Sequence, residues 1–308
     1  MNRKRWSFRF LPPFAMPIAR ILNRHRLSHP KAKRPRSLKQ RDALLEFTAD
    51  FIERANLEVE ETYRFQIDRQ DIAIDGLPDD FHGFTIAQLS DIHHSPYLSL
   101  ERLEEAVAET NALRPDIVVL TGDYVTHTTR YVEPCAECLG RLRARFGVFA
   151  VLGNHDVWVG ASAVTEAFER NGIPVLNNSN IPIYIGGRFI YLCGLGDTTT
   201  RNHDLVAALK GTRRRDTRVL LSHNPNIIKE ASLAECDLVL SGHTHGGQVK
   251  LPVIGAPISF NRHGKQYTRG WAQMKKTQIY VNRGLGTIFL PIRYQCPPEI
   301  SLLRLVRR

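Results

Sequence analysis

The stretch Val148 to Asp156 runs from an apolar, β-rich segment into Gly153 and then Asn154, His155 and Asp156 with no spacer. An amide oxygen, an imidazole and a carboxylate together are donors that hold divalent cations or move protons. A polar turn after a buried strand would look the same in isolation. The chain, however, repeats the device four more times. Asp91 and His93 follow the run from Thr85, and Asp123 follows the run from Asp116. His223 follows the run from Arg218, and His243 and His245 follow the run from Asp237. Asp91, His93, Asp123, Asn154, His223, His243 and His245 make seven oxygen and nitrogen donors, enough for two metal ions. Carboxylate, carboxamide and imidazole without thiolate suit manganese, iron, cobalt or zinc.

Strands must position these groups. Short apolar runs that end in polar residues read as strands buried on both faces. In open α/β sheets ligands bind beyond the carboxyl ends of the strands, so five strand ends would bring the donors to one rim. Asp91 and Asp123 are 32 residues apart, and Asp123 and Asn154 are 31 apart, the size of a βαβ unit. Helical periodicity fills the gaps at 99–113, 131–145, 161–172 and 203–210. Alternation predicts strands at 63–67 and 72–74, read as a hairpin. Ile279–Val281 and Ile300–Leu303 supply closing strands, and Pro252, Gly255 and Pro257 mark loops. A helix over 38–56 follows from Ser37 and Gln40, which resemble a capping box, and from Leu44, Phe47, Phe51, Ile52 and Ala55. The reading is one domain, 58–308, behind an extension, 1–57.

Charge is unevenly placed. Residues 1–41 hold 13 Lys or Arg and no acid, so 29 bases face 31 acids in the remainder, a net of −2. The donor-bearing region is near neutral and offers no specific nucleic-acid footprint. In the arm, Trp6, Phe8, Phe10 and Phe14 interleave with the bases. That pattern suits an anionic membrane surface, and equally a solvated tail. Its apolar stretch, Leu11 to Ala19, is broken by prolines and falls short of the roughly 20 residues of a membrane span. The five cysteines are odd in number and form no framework, which places the chain in a reducing compartment. Cys135 and Cys138 fall on one face of a helix and, with no second half to a zinc site, read as helix residues without a special role.

The blocks DxH (Asp91, His93), GD (Asp123), GNHD (Asn154 to Asp156), a single His (His223) and GHxH (His243, His245), in that order, resemble the calcineurin-like metallophosphoesterase superfamily. Leu77-Pro78, Phe81 and Gly83-Phe84 ahead of them, with Asn282 to Thr287 and Pro297 to Ile300 behind, resemble its YkuE/YaeI-like bacterial branch. The resemblance spans roughly residues 58–308. It implies an α/β fold of two packed mixed β-sheets flanked by helices. It also implies two divalent transition-metal ions, manganese foremost. Asp91, His93 and His245 are then expected on one ion, Asn154, His223 and His243 on the other, and Asp123 between them. His155 is expected to protonate the leaving group, with Asp156 orienting its ring. His94 stands outside the motif, while Asp197 and Arg283 end apolar runs near the same rim.

The implied reaction is hydrolysis of a phosphodiester or pyrophosphate bond by a metal-activated hydroxide. Together with the arm, the resemblance points to a membrane-associated substrate such as UDP-2,3-diacylglucosamine of the lipid A pathway. The protein would then sit in the cytoplasm, at the inner face of the membrane. The alternative is a soluble broad-specificity phosphodiesterase or nuclease. A non-catalytic scaffold would need lost ligands, and none is missing.

Overall fold

Strand β1 (Gln66–Ile74) is the first element of the computed structural model, which describes residues 64–250, 265–288 and 292–308. The basic arm, the expected helix over 38–56 and the loop markers Pro252, Gly255 and Pro257 lie outside the described residues. After β1 come β2 (Thr85–Leu89), α1 (Leu100–Ala112), β3 (Ile117–Leu120), α2 (Val132–Leu139), β4 (Val148–Ala150) and α3 (Asn154–Arg170). The hairpin β5 (Ser179–Ile185) and β6 (Arg188–Gly194) leads through α4 (Leu205–Ala208) to β7 (Arg218–Leu221). Then follow α5 (Ile228–Leu233), β8 (Leu238–Ser241), β9 (Gly270–Met274), β10 (Thr277–Val281) and β11 (Glu299–Arg307).

Two mixed sheets result. One has the order β1-β11-β2-β3-β4, the other β5-β6-β7-β8-β10-β9. The donor-bearing neighbours β2, β3 and β4 run parallel, as do β7 and β8. The side chains show why β3 and β8 are so apolar. In β3, Ile117 and Val119 enter the core between the sheets, whereas Val118 and Leu120 face α1, α2 and α3. In β8, Leu238 and Leu240 enter that same inner core, whereas Val239 meets Ile228 and Ala231 of α5. Both of these strands are covered on both faces, so alternation is weak in their sequences. Two mixed sheets between helices are the architecture expected from the sequence.

The differences are local. The expected hairpin at 63–74 is one continuous strand, β1, paired in parallel with β11 over its whole length. No Gly or Pro between Ile67 and Ile72 could turn the chain, and the long partner keeps it extended. Helix α2 stops at Leu139 rather than 145, at Gly140, whose N–H still bonds the Ala136 carbonyl. Helix α3 starts at Asn154, not 161, and is broken at Gly160 (φ 141°, ψ 91°). Cys135 and Cys138 are both buried and free. Burial pushes the Cys135 thiol well up and that of Cys138 to about 11, so neither is a ready thiolate.

Candidate metal centre

The loops that carry the donors extend the sheet ladders. The N–H of Asp91 bonds the Gly122 carbonyl at 2.9 Å, and that of His93 bonds the Asp123 carbonyl at 2.9 Å. In the second sheet the Gly242 N–H bonds the His223 carbonyl at 3.0 Å. Held this way, Asp91, His93, Asp123, His243 and His245 all have left-handed backbone, with φ between 47° and 70°. For residues with a Cβ that conformation costs about 1–2 kcal/mol each. Such strain persists only where surrounding structure over-determines it, as it does at functional sites.

Glycine lets the two sheets meet. Gly122 has φ 94°, and a Cβ there would lie 2.9 Å from Nδ1 of His223. A Cβ on Gly242 would strike Oγ of Ser90 and Oδ2 of Asp91. The Asp91 carboxylate also accepts the His243 N–H from the other sheet, at 2.9 and 3.0 Å.

The structure brings six of the seven donors into two clusters. Asp91, His93 and His245 offer ligand atoms within 4.8 Å of one another, and so do Asp123, His223 and His243. Asp123 also joins His93, since its Oδ2 lies 3.5 Å from Nε2 of His93 and 3.1 Å from Nε2 of His223. The two Nε2 atoms of His93 and His245 approach to 3.2 Å, and Nδ1 of His243 and Nε2 of His223 to 3.1 Å. Two ring nitrogens at such distances need a proton or a cation between their lone pairs. Asn154, the seventh donor, is buried, and its Oδ1 has no hydrogen-bond partner among the described residues. A buried acceptor left alone costs about 1–3 kcal/mol, so a ligand is expected there. The residues fit a divalent metal.

Backbone carbonyls select the ring tautomers. Nδ1 of His223 lies 2.7 Å from the Thr121 carbonyl oxygen, which can only accept. The Nδ1 therefore donates to Thr121 and Nε2 is turned to the cluster, the orientation that suits a metal-ligating histidine once Nε2 gives up its proton. Nδ1 of His155 donates likewise to the Thr126 carbonyl at 2.8 Å. Burial favours the uncharged ring at three of the histidines. Burial holds His93 and His245 well below the usual imidazole range, and burial with the nearby His223 brings His243 down to about 3. Burial raises Asp91 to about 6. It also opposes charge on Asp123 and His223, yet their mutual attraction prevails, keeping Asp123 low and lifting His223 to about 10.

The residues around the donors have other partners. Asp156 does not hold the His155 ring; its carboxylate accepts backbone N–H groups, from Asp123 at 2.7 Å, Tyr124 at 2.8 Å and Gly153 at 2.9 Å. The ring is fixed by Thr126 instead. His94 bonds the Leu98 carbonyl at 2.8 Å and packs edge-on against Tyr131, a structural role. Arg283 pairs with Asp68 at 2.9 Å and Glu299 at 2.8 Å, tying the loop after β10 to β1 and β11. Asp197 is buried, with one oxygen accepting the Thr200 N–H at 2.8 Å.

Three contributors escaped sequence reasoning. Thr121 and Thr126 act through carbonyls, which leave no side-chain signature. Arg293 reads as a surface base but is fully buried and donates to the carbonyls of Arg283 (2.8 Å) and Cys296 (3.2 Å). It also reaches the carbonyl of Gly286, whose own N–H bonds the Asp91 carbonyl at 2.7 Å.

Residues 84–247, which span all seven donors, match the calcineurin-like phosphoesterase family. The chain is 36% identical over 233 residues to the metallophosphoesterase YkuE of Bacillus subtilis (strain 168), covering 74% of this chain and 81% of that protein. It is 32% identical over 234 residues to phosphodiesterase YaeI of Escherichia coli (strain K12), covering 72% and 82%. Among solved structures, a dimetal phosphatase from Danio rerio aligns with a TM-score of 0.43 at 12% identity, covering 66% of this chain and 88% of that one. The family match encloses every one of the donor-bearing strand ends, and the chain belongs to the calcineurin-like phosphoesterases, a family of metal-dependent hydrolases.

Proposed function

We propose that the protein hydrolyses a phosphodiester or pyrophosphate bond at a dinuclear centre. The observation that carries this is the pair of donor clusters joined through Asp123, with the unpartnered Oδ1 of Asn154 on the residue before His155, whose N–H bonds Asp123. Asp91, His93 and His245 would hold one ion, Asn154, His223 and His243 the other, and Asp123 both. When bound, two divalent ions supply an activated water nucleophile and neutralise charge that develops on the phosphoryl oxygens. Manganese is the ion we assign, and iron, zinc and cobalt suit the same donors.

The chain's own residues do the rest. Thr121 holds Nδ1 of His223 and so aims its Nε2 inward. Thr126 occupies Nδ1 of His155, so Nε2 is the atom that delivers a proton to the departing oxygen. Asp156 holds the turn that presents Asp123. The phosphodiesterase name borne by YaeI supports the diester class. For the substrate we propose a membrane-associated one such as UDP-2,3-diacylglucosamine, reached from the cytoplasm, because 13 bases and no acid in residues 1–41 suit an anionic leaflet. The name of YaeI equally favours a soluble phosphodiesterase, the second reading.

The test is a turnover screen of the full-length protein with manganese across nucleotides, UDP-2,3-diacylglucosamine and other nucleotide sugars, artificial diesters and nucleic acids. Hydrolysis of diesters or pyrophosphates, abolished by a chelator and restored by manganese, is expected. A preference for soluble diesters over the lipid-linked sugar would favour the second reading, and no turnover of any phosphoester would overturn both.

A further inference from the structure

Trp158 is 63% exposed, although it stands two positions after the Asn154-His155-Asp156 block at the start of α3. Its neighbours Val157 and Val159 pack on the core, which leaves Trp158 to point outward. The indole is not loose. It meets the His155 ring edge-on, with centroids 4.9 Å apart and planes at 65°. His155 in turn meets His93 edge-on at 4.9 Å, and the ring of His127 lies 5.9 Å from His155. A continuous series of rings thus leads from the surface, through the proposed proton donor, to the buried donors. Two residues on, the backbone of Gly160 leaves helical geometry and breaks α3 just beyond this side chain.

A leaving group protonated by His155 would lie against a ring that this indole touches. A tryptophan gives a large flat surface with few rotors to freeze, and aromatic rings attract one another beyond the area they bury. Resting on the phosphoesterase reading, we propose that Trp158 is a specificity-determining residue that stacks against a planar aromatic ring in the substrate's organic group, such as a nucleobase or an aryl ring. The phosphoryl group would then sit at the donor clusters while the ring lies over Trp158. Because the ring that Trp158 meets is His155, which is not among the seven proposed donors, Trp158 should govern affinity rather than metal content.

The probe pair is phenyl phosphate and methyl phosphate, which share the phosphoryl group and differ in the ring. Calorimetric titration of the full-length, metal-loaded protein should show phenyl phosphate binding roughly 2- to 12-fold more tightly, the range of one aromatic pair. Trp158→Ala should bring the two dissociation constants together with metal content unchanged, and Trp158→Phe should keep most of the preference. For a nitrophenyl diester, Trp158→Ala should raise KM and leave kcat nearly constant. Equal loss of both phosphates in Trp158→Ala, or an undiminished preference for the phenyl ester, would overturn the proposal. The binding readout does not need turnover. An intact preference with no hydrolysis of any phosphoester would instead strike the phosphoesterase reading alone.

Discussion

The carboxylate of Asp156 grips the backbone of Asp123, accepting its N–H at 2.7 Å through the same oxygen that accepts the Gly153 N–H at 2.9 Å. The strand ends after β3 and β4 are therefore fastened to each other by one buried side chain. Asp156→Asn removes an acceptor and turns an amide donor toward N–H groups. We expect metal affinity to fall roughly 10- to 100-fold, the usual cost of losing an outer partner of a metal site. Metal titration followed by elemental analysis checks this. Unchanged affinity with slower turnover would return Asp156 to a role at His155.

About two transition-metal ions per chain are expected by native mass spectrometry, by analogy with other two-metal phosphoesterase sites. Asp123→Ala should lower occupancy of both positions, since its carboxylate faces His93 as well as His223. Loss of only one ion would show that Asp123 does not bridge.

His155→Ala should keep both ions and slow hydrolysis of an unactivated ester roughly 100- to 10,000-fold, the scale of general acid catalysis. A nitrophenolate departs without a proton, so the defect should shrink on a nitrophenyl diester. His155 also lies within 4.8 Å of His93 and Asp123 by ligand atoms, so a drop in metal content would reassign it as a ligand.

Metal binding should release protons. In the metal-free protein His223 is lifted to about 10 by Asp123 against the opposing effect of burial, yet coordination requires its neutral ring. Affinity should thus rise with pH from 6.5 towards 10, and calorimetry in buffers of different ionisation enthalpy should detect about one proton displaced at pH 7.5. The stability of the metal-free protein runs the opposite way. A raised histidine pKa contributes fully below the unfolded value and is lost as pH climbs to about 10. Thermal melts with a chelator present should therefore decline over that window. A pH-independent affinity would contradict the charge assigned to His223.

Removing residues 1–36 should abolish salt-sensitive binding to anionic liposomes, because each basic side chain near such a surface contributes on the order of 1 kcal/mol. None of the proposed donors precedes Asp91. Hydrolysis of a small soluble diester should consequently be unchanged, while a lipid-linked substrate is cleaved more slowly. Identical partitioning of the full-length and shortened proteins at low salt would leave the arm as a solvated tail.

Much of the centre was legible because strand chemistry is local. Ile117 to Leu120 is apolar at every position, which marks burial on both faces, and the next polar residues then have to be at a strand end. What was not legible depends on partners distant in sequence. The 66–74 segment reads as two alternating halves, and only the pairing with residues 299–307 makes it one strand. The role of Asp156 was misread because adjacency to His155 says nothing about where a side chain turns; it turns to amides 30 or more residues away. Arg293 was invisible for the same reason, as its acceptors are backbone carbonyls of a folded loop.

The position of β11 has a consequence for biosynthesis. It lies between β1 and β2, so among the described strands β1 has no ladder partner until residues 299–307 have been made. Synthesis at roughly 5–20 residues per second leaves some ten seconds or more during which β1 waits beside an uncovered β2 edge. An unpaired edge of that kind is a template for association with other chains. A nascent chain halted shortly before Glu299 should therefore engage chaperones, and release of the last strand should free it.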